Sequence, residues 1–297
     1  MNTIAISGIA VKAQIYESDN SLVYRGIREQ DNRAVILKVL KLDYPLPQEL
    51  ARYKQEYEIA IALQSPGVIQ VYSLEKFNNT LVIVFEDFGG ESLNLIINRQ
   101  SLNLKQFLEI AIKTTEILEH IHAANVIHKD INPANIVFNS RTKDLKIIDF
   151  GIATALAFEN TNIKNPHILE GTLAYISPEQ TGRMNRSLDY RTDFYSLGAT
   201  FYELLTNSLP FVSQDVMELV HCHIALTPVP PHKFNQTIPL AISAIVMKLL
   251  AKTAEDRYQS ARGIKADLER CLNQLETKGT IDEFPLCTSD IAILNDL

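Results

Sequence analysis

The fold prediction rests on HKDINPAN, residues 128–135. It is a polar loop that carries Asp130 and Asn135, and two short strand-like runs, ANIVF and LKIIDFG, continue the chain. Taken singly, Asp130 or the Asp149 of the second run would be interpreted as a loop cap, because aspartate commonly bonds its own backbone in turns. The two together, in these sequence contexts, are rarely a coincidence. The sequence on either side of Asp130 and Asp149 is therefore needed to predict their function.

Short apolar runs and helical patterns lie on different sides of that loop. Upstream, five runs rich in Val, Ile, Tyr and Phe alternate with turn residues and predict strands, and a helical pattern at 47–64 interrupts them. The five runs are VKAQIYE, SLVYRGI, RAVILKVL, VIQVYSLEKF and TLVIVFEDF. From Ser101 onward apolar residues recur with the period of a helix, as in LKQFLEIAIKTTEILEHIH. The sequence therefore predicts an α+β chain, with a meander of about five strands followed by a larger helical part.

The same patterns predict a domain division. A sheet-rich lobe is expected at about 1–88 and a helical lobe at about 92–278, with GGES at 89–92 as the crossing. Residues 1–278 would together form one two-lobed domain. Beyond the last helical pattern the chain loses its periodicity and becomes acidic, so residues 279–297 are interpreted as a linker or docking tail.

Composition argues against several functional classes. The net charge of −7 disfavours a general affinity for nucleic acid or an anionic membrane, since both depend on clustered Lys and Arg. Three scattered cysteines lack the spacing of a disulfide framework or a zinc site, which favours a reducing compartment. The apolar segment at 238–252 is interrupted by Lys248 and predicts a buried helix, so no membrane span is expected. No basic region precedes the N-terminal apolar run, which argues against a signal peptide and for a cytoplasmic location.

Four short motifs occur in one order: VILK ending at Lys38, HKDINPAN, DFG at 149–151 and SPE at 177–179. The ordered set is far more specific than any one motif, and it resembles that of the protein kinases over roughly residues 8–275. The resemblance implies a bilobal protein-kinase-like fold, with five antiparallel strands and one helix in the N-lobe and a mainly helical C-lobe. It also implies transfer of the γ-phosphate of ATP, with Mg²⁺ or alternatively Mn²⁺, to a protein substrate in intracellular signalling.

The resemblance gives the motif residues their roles. Asp130 would be the catalytic base that receives the proton of the attacking hydroxyl, and Lys38 would hold the ATP phosphates. Asn135 and Asp149 would bind the metal, since oxygen donors suit a hard cation that keeps much of its water. Glu56 would pair with Lys38.

Further residues are expected to contact the nucleotide or to support the site. The expected nucleotide contacts, besides Lys38, are Ile15, Val23, Ile36, Glu86 and Phe88. The expected supporting residues are Glu56, His128, Phe150, Thr172, Glu179, Asp193 and Arg257. Among these, Glu179 and Arg257 look like the ion pair that anchors the activation segment, and Asp193 looks like the carboxylate that braces the catalytic loop. Thr172 lies where serine/threonine kinases carry a threonine, so the expected acceptor is Ser or Thr.

The glycine-rich loop of the family is replaced in this chain. Tyr16, Ser18 and Ser21 stand at its three glycine positions, where a side chain obstructs the approach of the backbone to phosphate. Serine is small and its hydroxyl can itself bond phosphate, so Tyr16 is the replacement that is harder to accommodate. Ile36 stands where most kinases keep an alanine over the adenine ring, and it should narrow that pocket.

Two replacements flank the catalytic aspartate. Lys129 replaces an arginine, and a lysine cannot make the planar two-pronged contact with a phosphorylated activation loop. Control by phosphorylation of Thr154 or Thr161 is therefore less favoured. Asn132 replaces a lysine near the transferred phosphate, and the loss of that cation should slow the chemistry.

Longer runs suggest a subgroup. YESDNSLVYRG, VIHKDINPANIVFN and LLAKTAEDRYQSA are similar to the N-terminal kinase domains of cyanobacterial hybrid proteins that continue into an ATPase-like module and a sensor histidine kinase. That resemblance predicts a histidine kinase or an ATPase-like module as partner, and it makes the glycine-free loop a trait of the subgroup. The alternative that stays open is a pseudokinase, a nucleotide-binding or pure scaffold that regulates such a partner.

The histidines outside the loop receive an ordinary interpretation. HCH at 221–223 and the pair His120 and His122 are predicted to pack or to face solvent, because positions two apart on a helix face different sides. His128 is predicted to be a core histidine that supports the catalytic loop.

Overall fold

The computed structural model describes residues 6, 8–18, 20–41, 45–155, 171–183 and 188–290. The chain divides into two compact units, one that combines residues 1–90 with 139–151 and one that combines residues 91–138 with 152–297. The sequence-based division did not anticipate that 139–151 joins the smaller unit.

A five-stranded antiparallel sheet forms the smaller unit. Its strands are β1 (Ile9–Glu17), β2 (Ser21–Arg28), β3 (Arg33–Leu40), β4 (Val71–Phe77) and β5 (Thr80–Glu86). They lie in the order β1-β2-β3-β5-β4, so the expected sheet is confirmed but the predicted meander is wrong. The reason is the helix between β3 and β4, after which the chain re-enters at the sheet edge and β5 returns beside β3.

Strand β3 shows how the sheet buries one face. Val35, Leu37 and Val39 are buried, whereas Ile36 and Lys38 between them lie on the opposite face. The buried residues join a core cluster that also contains Ile6, Ile9, Tyr24, Val82 and Val84. The alternation therefore fixes which β3 residues remain for a site.

Helix α1 (Pro47–Leu63) agrees with the helical pattern expected at 47–64. Proline is tolerated at its start because the N–H groups of the first turn have no helical partner. The backbone N–H of Leu46 donates to Glu49 Oε2 at 2.8 Å, which stabilises that end. The helix ends at Leu63, and Gln64 after it has a left-handed φ of 30°. Its buried residues are Tyr53, Glu56, Ile59 and Ala60.

The larger unit is mainly helical, as expected. Its helices are α2 (Leu93–Arg99), α3 (Leu104–Ala123), α4 (Arg191–Thr206), α5 (Val216–Ala225), α6 (Pro231–Phe234), α7 (Leu240–Leu249) and α8 (Ala261–Lys278). Its short strands are β6 (Glu91–Ser92), β7 (Val126–Ile127), β8 (Ile136–Phe138) and β10 (Thr154–Ala155), whereas β9 (Leu145–Ile147) belongs to the smaller unit. Strand β6 pairs with β8 and β7 with β10, both antiparallel.

The core of the larger unit lies between its long helices. Helix α3 packs on α8, and α4 packs on α7. Phe107 of α3 meets Phe201 of α4 edge to face, with ring centroids 5.5 Å apart. Helix α7, which contains most of the apolar segment at 238–252, is largely buried, in agreement with the prediction of a buried helix. Within the described part of the chain, no helix is both long and apolar enough to cross a membrane.

Residues after α8 are bonded to that helix and to the turn before it. Helix α8 ends at Lys278, and Gly279 after it has a left-handed φ of 75°. The backbone N–H of Cys287 donates to Asp267 Oδ2 at 2.9 Å, and Asp290 accepts hydrogen bonds from the segment before α8. The acidic segment therefore lies on the larger unit as far as Asp290.

Candidate active site

Lys38 lies between two carboxylates in the smaller unit. Its Nζ is 2.8 Å from Glu56 Oε2 and 3.0 Å from Asp149 Oδ1. Burial raises the pKa of the Glu56 carboxyl, and the opposing effect of Lys38 is smaller. Burial also lowers the pKa of Lys38, but Asp149 and Glu56 together raise it above its ordinary value, so Lys38 stays charged. The structure thus brings these three predicted site residues together.

Asp149 is the accessible member of this group. Its φ of 66° is left-handed, and 41% of its side chain is exposed. The backbone N–H of Gly151 donates to its Oδ1 at 3.3 Å. Phe150, between them, is fully buried. The buried ring therefore fixes the segment while the carboxylate before it stays open to a ligand.

The apolar residues expected around a nucleotide lie mainly on one sheet face. Val23 is paired with Lys38 across β2 and β3, and Ile36 is two residues before Lys38, so all three share the face opposite the core. Ile15 lies at the register shift between Gln14 and Tyr16 in β1 and is exposed. The structure therefore places Val23 and Ile36 beside Lys38 and leaves Ile15 at a bulge.

Glu86 and Phe88, the other two expected nucleotide contacts, lie at and just after the end of β5. The Glu86 carboxylate accepts hydrogen bonds from Lys146 Nζ at 2.6 Å and from the Gln70 backbone N–H at 2.7 Å. The Phe88 carbonyl accepts from Asn139 Nδ2 at 2.7 Å. These contacts fix the Glu86 side chain and the Phe88 carbonyl at the end of β5.

Asp130 is held by three uncharged donors within the larger unit. Its Oδ1 accepts from the Thr172 backbone N–H at 2.9 Å and from Asn132 Nδ2 at 3.1 Å. Its Oδ2 accepts from Asn135 Nδ2 at 3.0 Å. The same Asn132 amide also donates to Thr172 Oγ1 at 3.3 Å. The structure thus joins the predicted base, one predicted metal ligand and the predicted threonine, and it adds Asn132 to them.

A buried carboxylate supports this loop from α4. Asp193 accepts from the backbone N–H groups of His128 and Lys129 at 2.9 and 2.7 Å, and His128 Nδ1 accepts from the Asp130 backbone N–H at 3.2 Å. His122 packs its ring against Phe194, as the ordinary interpretation expects, and in addition its Nε2 lies 2.8 Å from Asp193 Oδ2, a contact that the sequence did not predict. Burial opposes ionisation of Asp193, but the hydrogen bond to His122 and nearby charges keep its pKa below the usual range.

Glu179 and Arg257 form a buried two-pronged ion pair. Arg257 Nη1 and Nη2 donate to Glu179 Oε1 and Oε2 at 2.6 and 2.8 Å, and Thr192 Oγ1 donates to Glu179 Oε1 at 2.9 Å. Burial raises the pKa of Glu179, but the bonds and charge of Arg257 outweigh it and hold the pKa low. The pair therefore fixes the segment that follows Thr172 onto the helical core.

Lys129 is turned toward β10. Its Nζ donates to Thr154 Oγ1, and both residues are buried. Thr154 is thus engaged by a cation inside the unit, which disfavours it as a phosphorylation site. Thr161, the other threonine considered for phosphorylation, lies outside the described residues.

The sequence analysis missed Tyr53, which lies on α1 with its ring 5.7 Å from Lys38 Nζ. It named His122 and Asn132 but did not foresee their hydrogen bonds to Asp193 and Asp130. The one available signal was spacing, since Tyr53 precedes Glu56 by three residues and must share its helix face. Chemically, the smaller unit offers a buried cation with an exposed carboxylate, and the larger unit offers an oriented carboxylate base.

Known proteins share this pattern. The family model described as protein kinase domain matches residues 10–268. The chain is 35% identical over 245 residues to serine/threonine-protein kinase PknB of Mycobacterium leprae, a match that covers 80% of this chain and 39% of the relative. It is 33% identical over 256 residues to a probable serine/threonine-protein kinase of Clostridium perfringens, with 86% of this chain and 37% of the relative covered.

These matches cover most of this chain but less than two fifths of each relative. The names of these relatives give no support to a histidine kinase partner, which stays a prediction. The match of the family model to most of the residues, together with the fold and the ordered motifs, shows that the chain belongs to the protein kinase family.

Proposed function

We propose that the chain is an active protein kinase, which transfers the γ-phosphate of Mg-ATP to a serine or threonine hydroxyl of a protein. The observation that carries the proposal is the fixed direction of Asp130, whose two carboxylate oxygens are held by Asn132, Asn135 and Thr172. A general base must lie within hydrogen-bond reach of the proton that it removes, so a fixed carboxylate suits this role. Asp130 would accept the proton of the attacking hydroxyl.

Lys38 and the metal ligands supply the rest of the chemistry. Lys38 stays charged between Glu56 and Asp149, and it would neutralise charge on the ATP phosphates. The donors fit a hard cation, because Asp149 offers an exposed carboxylate and Asn135 uses its amide nitrogen on Asp130, so that its amide oxygen is the atom for a metal. Mg²⁺, when bound, would supply positive charge that offsets the charge developing on the transferred phosphate.

Two observations favour Ser or Thr as the acceptor. Thr172 contacts both Asp130 and Asn132, at the position where the family resemblance expects a threonine in serine/threonine kinases. The relatives named above are described as serine/threonine-protein kinases, which supports the same specificity. The physiological substrate would be a protein.

The second candidate is a pseudokinase that regulates a partner. Asn132 favours it, because this position carries a neutral amide where a lysine is expected near the transferred phosphate. A scaffold of this kind would bind nucleotide, or only its partner, without transfer. The regulated partner would then be the histidine kinase or ATPase-like module that the subgroup resemblance predicts.

The deciding experiment is transfer of labelled γ-phosphate from Mg-ATP by the purified chain, alone and with a generic basic protein. Asp130→Asn should abolish transfer and leave ATP binding nearly intact, because it removes the base and not the phosphate contacts. Asp256→Asn, the same change at an exposed turn of the larger unit, is the matched control and should transfer like the wild type. Equal transfer by Asp130→Asn would overturn the assignment of the base, and ATP binding without transfer by the wild type would favour the pseudokinase.

A further inference from the structure

The glycine-free loop between β1 and β2 is closed by its own serines. The backbone N–H of Ser18 donates to the Ser21 carbonyl at 2.9 Å, and the backbone N–H of Ser21 donates to Ser18 Oγ at 3.1 Å. Tyr16, paired with Val23 across the hairpin, is 58% exposed. Ser18 and Ser21, at the two ends of the loop, are therefore joined by hydrogen bonds without glycine.

Ser21 ties this hairpin to helix α1. Its side chain is buried, and its Oγ lies 2.6 Å from the hydroxyl of Tyr53. Burial raises the pKa of Tyr53 to about 12, so the phenol keeps its proton at neutral pH and the contact is a hydrogen bond between two hydroxyls. Two buried polar groups satisfy each other there, and loss of either leaves the other without this partner.

Tyr53 also stands next to the phosphate-binding lysine. It lies one helical turn before Glu56, whose carboxylate bonds Lys38, and its ring lies 5.7 Å from Lys38 Nζ. Ser21 begins β2 and is paired with Leu40 of β3, two residues beyond Lys38. The hairpin, α1 and Lys38 are therefore joined through a short run of direct contacts in the smaller unit.

We propose that Tyr53 is a positioning residue of the nucleotide site, which holds the glycine-free hairpin to α1 through Ser21 and so keeps the loop in a form that can receive phosphate. The proposal rests on the proposed function, in which Lys38 and the loop between β1 and β2 serve ATP. Glycine serves in such loops because its backbone can adopt conformations that other residues rarely adopt. In this chain the hydrogen bond between Tyr53 and Ser21 holds the loop instead, so nucleotide binding costs less conformational entropy.

The test is a set of single-hydroxyl deletions in the full chain. Tyr53→Phe and Ser21→Ala should each weaken binding of the Mg²⁺ complex of a non-hydrolysable ATP analogue by about five- to tenfold, measured by calorimetry. The reason is that, without this hydrogen bond, a smaller fraction of the molecules holds the loop in the conformation that binds phosphate. KM for ATP should rise by a similar factor, while kcat at saturating ATP stays within about twofold. The double variant should be no worse than either single variant, because both changes remove one hydrogen bond.

The matched control is Tyr57→Phe, which removes the same hydroxyl from a half-buried residue on the same helix and should bind the analogue like the wild type. A purely structural role of Tyr53 would lower the melting temperature without changing analogue affinity, and that result would overturn the proposal. Additive losses in the double variant, or a wild-type chain that binds no analogue, would overturn it as well. Analogue binding without phosphate transfer would instead reject the kinase function, and the affinities would still decide the role of Tyr53.

Discussion

Asn132 gives the proposed base a neutral neighbour. Its amide nitrogen lies 3.1 Å from Asp130 Oδ1 and 3.3 Å from Thr172 Oγ1, and its amide oxygen accepts from the Ala134 backbone N–H at 2.9 Å. The residue is 3% exposed, so these partners and not solvent fix its direction. Asn132 therefore orients Asp130 and does not supply the charge that a lysine would bring.

Asn132→Asp should shift the pH dependence of transfer. The change places a second carboxylate about 3 Å from Asp130, and two carboxylates at that distance cannot both ionise easily, so the pair keeps a proton to higher pH. The acid limb of kcat/KM against pH should therefore move upward by about one unit or more, with activity at neutral pH reduced and partly recovered at higher pH. Asn98→Asp, the same change on the exposed face of α2, should leave the profile unchanged. An unshifted acid limb in Asn132→Asp would contradict the proposed contact with the base.

At the scale of elements, α5 is joined to α4 through a buried histidine. His223 Nδ1 lies 3.0 Å from the Tyr195 hydroxyl, and the His223 carbonyl accepts from Lys252 Nζ at 2.8 Å. Within the described residues Nε2 of His223 has no hydrogen-bond partner. Burial, helped by the charge of Lys252, lowers the pKa of His223 to about 4. The packing of α5 therefore requires the neutral imidazole.

The burial of His223 should make the stability of the domain fall in acid. Between about pH 6.5 and 4 the unfolded chain binds a proton at this histidine that the folded chain does not, so the free energy of unfolding falls as pH falls. The loss should approach about 3 kcal/mol below pH 4. His223→Asn, which keeps an acceptor near Tyr195, should start less stable but lose less stability over this pH range in urea denaturation.

The exposed His221 on the same helix provides the control for that prediction. His221→Asn should keep the pH dependence of the wild type, because this side chain is already exposed in the folded chain and loses no burial on unfolding. If His223→Asn and the wild type lose equal stability between pH 7 and pH 4.5, groups other than His223 govern the acid response.

Across the whole molecule, local patterns predicted the elements better than their partners. The alternation of Val35, Leu37 and Val39 predicts β3, but the pairing of β3 with β5 depends on how α1 crosses between strands, which no local pattern encodes. Motif order likewise predicted Lys38 and Asp130 as site residues. It gave no signal for His122, because its partner Asp193 is distant in sequence and a histidine on a helix has the same local pattern whether it is buried or exposed.

The segment after α8 is a further case in which tertiary contacts decide the interpretation. Asp290 Oδ1 accepts from Ser260 Oγ and Oδ2 accepts from the Gln259 backbone N–H, both at 2.7 Å. A Cβ at Gly263 would lie 2.7 Å from Asp290 Cγ, so only glycine admits this approach. The acidic composition that suggested a linker is thus partly used to bond the larger unit.

Asp290→Ala should therefore destabilise the whole larger unit, and not only release the segment that carries it. It removes two hydrogen bonds made to a carboxylate, so the free energy of unfolding should fall by about 1–3 kcal/mol in urea denaturation, with one cooperative transition retained. Asp282→Ala is the matched control, because the Asp282 side chain pairs with Lys278 at the surface and its loss should cost about 0.5 kcal/mol or less. Gly263→Ala should resemble Asp290→Ala despite the better helix propensity of alanine, since its Cβ displaces the same carboxylate. Equal stability of Asp290→Ala and Asp282→Ala would show instead that the segment is a linker whose contacts add nothing to the fold.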